Sequence, residues 1–282
     1  MTRRQDLERH RRGLGEIREI MNSMKTLAYM ETRKLSRFID AQSSVVAGIE
    51  AAAADFLSFH PDTLSAADSP VRVCLLIGTE RGFCGDFNQG LVRHFEATRQ
   101  EQPAGEVIPI AVGHRLHTLL ENEDGAVFID GASVVEEIAA VLDRMVEALS
   151  VLQQRHGIVT VYGLYHGADD AVVMQKLLPP FQQCLQRAPG FTHPPLLNLA
   201  PSGFLFALTE QYLFAALNEM LYTSLMKENH NRVTHLEGAV SHLDDKLDDL
   251  GRRSNALRQE EIIEEIEVIL LSADGPGDMP YN

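Results

Sequence analysis

Between Phe204 and Leu271 the chain runs without a proline, and Gly238 and Gly251 are its only glycines. Leu236, Val240, Leu243, Leu247, Leu250 and Leu257 fall there at steps of four and three, with Ser254 in the one polar slot. Such a period of 3.5 residues keeps one apolar seam turned toward a partner helix. Asp244, Asp245, Lys246, Asp248, Asp249, Arg252 and Arg253 charge its flanks. A helix over the whole stretch would span roughly 100 Å at 1.5 Å per residue. Helices draw most of their stability from packing, so this one requires a coiled partner.

The other end of the chain supplies it. From about Leu7 to Leu57, positions 14, 17, 21, 24, 28, 31, 35, 38, 42, 45 and 49 follow a strict three-four alternation. All are apolar except Glu31 and Gln42, which predicts a second long helix with its own seam. Met21, Met24 and Met30 read as adaptable seam packing. Pro61 stops the helix soon after Ala51–Ala54. The two seams predict that the helices coil together.

Charge supports the pairing. The net charge is -15, yet Arg3, Arg4, Arg9, Arg11, Arg12, Arg18, Lys25, Arg33, Lys34 and Arg37 crowd the first forty residues. A basic helix of this kind can bind nucleic acid, but the acidic remainder repels phosphate. The expectation is therefore no nucleic-acid partner and a basic helix lying beside its acidic mate. No run approaches the roughly 20 apolar residues of a membrane span, so no direct membrane insertion is expected. The N-terminus lacks an apolar core of signal-peptide length. Cys74, Cys84 and Cys184 have no metal-ligand spacing and read as buried thiols of a reducing compartment.

Between the long helices, strand and helix patterns alternate. Val71–Ile77 and Val107–Gly113 read as buried strands, Gly125–Ile129 as a short third, and Ile158–Tyr165 with Ala171–Gln175 as a strand pair. Gln89–Gln100, His114–Asn122 and Val134–His156 read as helices. Residues 60–70 are loop by composition, and the prolines from Pro179 to Pro201 mark an irregular connector. The alternation predicts a small α/β (Rossmann-like) domain with a mainly parallel sheet. The expected organisation is a coiled-coil helix at 1–58, an α/β domain at 71–178 and a second coiled-coil helix at 204–273.

Chemistry is hard to find in this pattern. Strand, glycine turn and helix at Gly78–Asn88 is a phosphate-binding layout, but Gly78, Gly82 and Gly85 fit neither phosphate-loop nor dinucleotide spacing. Glu80 and Asp86 place negative charge where a phosphate would sit, so the glycines read as shaping a tight turn. His114 and His117 share a helical face, with no third ligand given by spacing. His230, His235 and His242 read as solvated or seam-edge positions, and Asp169-Asp170 as a turn. No catalytic residue, metal site or cofactor is expected.

Three stretches carry a resemblance. They are Ile20-Met-Asn-Ser-Met-Lys-Thr-Leu-Ala28 with Thr32-Arg-Lys34; the turn Ile77-Gly-Thr-Glu-Arg-Gly-Phe-Cys-Gly-Asp-Phe-Asn88; and Glu228 and Arg232 followed by Leu257-Arg-Gln-Glu-Glu-Ile-Ile-Glu-Glu-Ile266. Lys176-Leu-Leu-Pro179 adds a weaker fourth. In this order, over nearly the whole chain, they resemble the gamma subunit of F-type ATP synthases. Ile262-Ile263 and Ser272-Ala273 stand where that family usually has Ile-Thr and Gly-Ala, and Glu80 and Asp86 differ from the commonest turn. These departures bear on subtype; a divergent, second type of F-ATPase is one reading, and the coupling ion stays open.

The resemblance implies a non-catalytic rotor shaft. Its two terminal helices would form an antiparallel coiled coil turning inside a ring of alpha and beta subunits, and its α/β domain would touch the epsilon subunit and the membrane c-ring. It would lie at the cytoplasmic face of a bacterial inner membrane, peripheral through the complex. The skip after Leu257, where the stripe moves to Ile262, Ile266, Ile269 and Leu270, would mark a single helix in an apolar bearing. Met24, Lys25, Arg33, Arg253, Arg258 and Gln259 are the implied ring contacts. A static coiled-coil adaptor would use the same helices as a spacer, and a nucleotide-handling enzyme would rest on the turn at Gly78–Asn88.

Overall fold

A computed structural model describes residues 3–64, 69–101, 105–167, 169, 171–186 and 191–273. Two long helices, α1 (Arg3–Phe59) and α5 (Pro201–Ala273), enclose in sequence a five-stranded sheet and three shorter helices. The strands are β1 (Val71–Ile77), β2 (Glu106–Val112), β3 (Val127–Ile129), β4 (Thr160–His166) and β5 (Val172–Leu178). The shorter helices are α2 (Phe87–Glu101), α3 (His114–Leu120) and α4 (Ile138–His156). Each forms within a few residues of its sequence pattern; β5 runs three residues beyond Gln175. Of the expected loops, residues 65–68, Ala168, Asp170 and Pro189 lie outside the described residues. Among the described residues no helix is long and apolar enough to cross a membrane.

The chain divides into two compact units. One contains α1 up to Leu27 and α5 from Thr234; the other contains everything from Ala28 to Val233.

In the first unit the helices are antiparallel. Arg18 bonds Asp244, Arg4 bonds Glu261, and Lys25 lies 4.0 Å from Glu237, so ascending numbers meet descending ones. The expected seam of α5 is the buried face: Leu236, Val240 and Ser254 are buried, while Leu243, Leu247, Leu250 and Leu257 are half-buried. Ser254 Oγ donates to Glu8 Oε1 at 3.4 Å, which explains how a polar residue keeps that slot.

In the second unit the sheet order is β3-β2-β1-β4-β5, parallel except for the β4–β5 hairpin. Alternation along β1 feeds two cores. Val73, Leu75 and Ile77 pack with α1, α4 and α5, and Cys74 and Leu76 pack with α2 and α3. Both faces of the sheet are thus covered, as parallel strands require.

The α1 seam departs from expectation here. Leu35 and Val46 are buried and Ile39 and Ile49 half-buried, whereas Phe38 and Val45 stay exposed. Ile17, in the first unit, is also exposed. From Leu35 onward the second residue of each heptad pair lies four residues on, at 39 and 46, not three. Beside a globular core α1 buries a broader face than the narrow seam of a coil, and Phe38 lies at the margin against the ring of Tyr222 at 5.8 Å.

Candidate partner interface

The turn after β1 is organised by side chains from three elements. Asn88, in the first turn of α2, accepts from Thr79 N at 3.0 Å and donates to Thr79 Oγ1 at 2.9 Å. A Cβ on Gly78 would stand 2.7 Å from Asn88 Oδ1 and 2.8 Å from Leu116 Cβ, so only glycine fits. Glu80 Oε2 accepts from His114 N at 2.9 Å and Gly131 N at 2.7 Å. Its carboxylate thereby takes the kind of backbone N–H groups that a phosphate uses in α/β proteins.

Helix α5 closes the same edge of the sheet. In open α/β sheets, ligands bind outside the carboxyl ends of the strands where strand order reverses, which here is between β1 and β4. Ser224 Oγ donates to Ile77 O at 3.1 Å. One turn on, Glu228 and Arg232 form a buried ion pair through Glu228 Oε1 and Arg232 Nη2. Arg232 also donates to Gly82 O at 3.1 Å, Asn229 Oδ1 at 2.9 Å and Cys84 Sγ at 3.3 Å. Arg81 N reaches Glu228 Oε1 at 3.5 Å. Burial pushes the Glu228 carboxyl above the usual carboxylate range, against the pull of Arg232. Burial likewise pushes the Cys84 thiol up to about 12. The arrangement fastens a long helix to a sheet; it holds no activated nucleophile.

The sequence marked Glu228 and Arg232 only through the resemblance. A physical signal was present: Leu221, Leu225, Glu228, Arg232 and Leu236 fall at steps of four, three, four and four, so two opposite charges four apart lie on the apolar face of the helix.

Of the expected ring contacts, five lie in the paired-helix unit. Met24 is half-buried in the α1 seam, and half-buried Lys25 faces Glu237. Arg253, Arg258 and Gln259 are exposed on α5, with Arg253 paired to Asp249 at 2.9 Å. Arg33 belongs to the other unit and is exposed. Beyond Leu257 the apolar seam ends, although Arg4 still bonds Glu261 across the pair: Ile262, Ile263, Ile266, Val268, Ile269, Leu270 and Leu271 are all exposed.

All three cysteines are buried. His114 and His117 do share a face, and folding brings Asp130 to them: one potential ligand atom from each lies within 4.8 Å of the others. Sequence spacing cannot show this, because Asp130 arrives from the end of β3.

A family model for ATP synthase matches residues 3–274. An ATP synthase gamma chain of Pelotomaculum thermopropionicum is 24% identical over 94% of this chain and 96% of its own length. That of Clostridium beijerinckii is 22% identical over 94% and 95%. Among solved structures, a chain of the Euglena gracilis mitochondrial ATP synthase OSCP/F1/c-ring assembly superposes with a TM-score of 0.61 at 17% identity, covering 99% of this chain and 98% of its own. A chain of the Tetrahymena thermophila mitochondrial central stalk/c-ring superposes with a TM-score of 0.57 at 16% identity, over 78% and 99%. Those structures show a shared fold. With two long terminal helices, an inserted sheet and a family match over nearly its whole length, the chain belongs to the ATP synthase gamma-chain family.

Proposed function

We propose that this chain is the central shaft subunit of an F-type ATP synthase, coupling ion flow through a membrane sector to ATP synthesis or hydrolysis in a ring of alpha and beta subunits. The carrying observation is the end of α5. The paired seam runs to Leu257, and the apolar stripe then continues on a surface that the described residues leave open, with Ile269 64% and Leu271 76% exposed. A contiguous apolar stripe of this kind marks a surface for a partner. The alpha/beta ring is that partner, and Met24, Lys25, Arg33, Arg253, Arg258 and Gln259 contact it. The sheet domain meets the epsilon subunit and the membrane c-ring. We read the organisation as a helix at 1–58, an α/β domain at 71–178 and a helix at 204–273.

The shaft performs no chemistry itself. Glu80 and the Glu228–Arg232 pair fill the edge of the sheet where a nucleotide would bind, so catalysis belongs to the ring. Rotation of an asymmetric helix pair biases each catalytic subunit in turn through differential contacts with its alternative states. The subunit is peripheral, at the cytoplasmic face of a bacterial inner membrane, and held there by its partners.

Co-expression with the alpha and beta subunits of the same organism, followed by native mass of the purified particle, tests this reading. A particle of three alpha, three beta and one copy of this chain that hydrolyses ATP is expected. A chain that stays soluble by itself and joins no ring would overturn the proposal in favour of a static adaptor.

A further inference from the structure

We propose that His114, His117 and Asp130 form a surface site for a divalent transition metal of the zinc class, which fastens the edge strand β3 to α3. Two imidazoles and a carboxylate are the ligand set that zinc takes in three-ligand protein sites, with water in the fourth place. One ligand atom from each residue lies within 4.8 Å of the others, and the two rings stand 5.8 Å apart, edge to face. Closing to bonds of about 2.0–2.2 Å needs side-chain adjustment only, since His114 and Asp130 are exposed and His117 is half-buried.

The backbone around the site is already fixed. Glu80 Oε2 ties His114 N to Gly131 N, so one carboxylate holds the first ligand beside the neighbour of the third. Ile129 O accepts from Gly113 N at 2.8 Å and lies 3.1 Å from His117 Nε2. With Nε2–H donating to that carbonyl, the His117 lone pair is on Nδ1, the outer-shell arrangement that orients histidine ligands at metal sites. Phe128 packs edge-on against the His117 ring at 5.0 Å. The Asp130 carboxylate has no ion pair among the described residues, and Arg144 donates to the Asp130 carbonyl oxygen at 2.9 Å. Imidazole with carboxylate suits zinc, copper or nickel better than magnesium or calcium.

The site stands independently of the shaft reading and is tested on the full-length chain. The protein is stripped with EDTA, then titrated with zinc chloride by calorimetry and with cobalt chloride by absorption. One saturable site per chain is expected, with cobalt d–d bands of a four- or five-coordinate ion. His114→Gln, His117→Gln and Asp130→Asn should each weaken binding by about tenfold or more and remove the bands, while His230→Gln and His235→Gln leave them unchanged. His114 is exposed, so its variant carries the test even if another misfolds; circular dichroism reports the fold of each. Binding that survives both His114→Gln and His117→Gln, or wild-type binding no stronger than that of the triple variant, would overturn the proposal.

Discussion

Replacing Arg232 with alanine is the sharpest test of how α5 is fixed to the sheet. The substitution removes the guanidinium from Glu228, Gly82 O, Asn229 Oδ1 and Cys84 Sγ together. Glu228 is 2% exposed and would be left as an unpaired buried carboxylate. Breaking a buried pair from one side costs about 3–5 kcal/mol. Removing both charges, as in Glu228→Leu/Arg232→Met, leaves mainly the Gly82 carbonyl and Arg81 amide to satisfy, about 1–3 kcal/mol. The double variant should therefore be more stable than the single one.

The loss should also depend on pH. The folded Glu228 carboxyl titrates above its ordinary value of 4.5, and losing Arg232 raises it further. Below pH 4.5 the carboxyl is protonated in both states and carries no penalty. As pH rises through the folded value, the unfolded state gains by ionising and stability falls. Urea unfolding followed by tyrosine fluorescence suits the measurement, because the chain has no tryptophan and Tyr162, Tyr165, Tyr212 and Tyr222 all lie in the sheet-bearing unit. A single variant within about 1 kcal/mol of wild type at pH 7, well short of the range for a broken buried pair, would refute the reasoning. So would a double variant worse than the single one.

Gly78→Ala should cost about 1–3 kcal/mol by overpacking against Asn88 and Leu116, whereas Gly238→Ala, with open space around it, should be neutral or stabilise by up to about 1 kcal/mol; paired thermal melts would show the contrast. Iodoacetamide at pH 8 should label native Cys74 and Cys84 far more slowly than the unfolded chain, because both thiols are buried and pushed up to about 12; rapid labelling of either, read by peptide mass, would contradict that placement. Ile266→Ser/Ile269→Ser should change the stability of the chain by less than about 0.5 kcal/mol, since both residues are exposed, yet weaken capture by the alpha/beta ring in a pull-down. Arg258→Ala should lower coupled ATP synthesis in membrane vesicles while leaving assembly intact.

Periodicity carried most of the architecture into view. The seam of α5 is the buried seam, and β1 runs over the residues that its apolar run predicts, because a strand buried on both faces needs no alternation to be recognised. Phe38 and Val45 misled because sequence spacing cannot distinguish a narrow coil from a helix face pressed on a sheet. The turn at Gly78–Asn88 was legible as a tight turn shaped by its glycines. What filled the space was not: Glu228 and Arg232 lie far along the chain, and only folding brings them to Gly82 and Cys84. Asp130 escaped for the same reason, since only folding carries the residue after β3 to the two histidines of α3.

Rotation itself is the decisive observable. With the alpha/beta ring fixed to a surface and a probe attached through Ile158→Cys, a position 79% exposed on the sheet-bearing unit, addition of ATP should turn the probe stepwise in one direction. A ring that hydrolyses ATP while the probe stays still would contradict the shaft and leave this chain a static spacer.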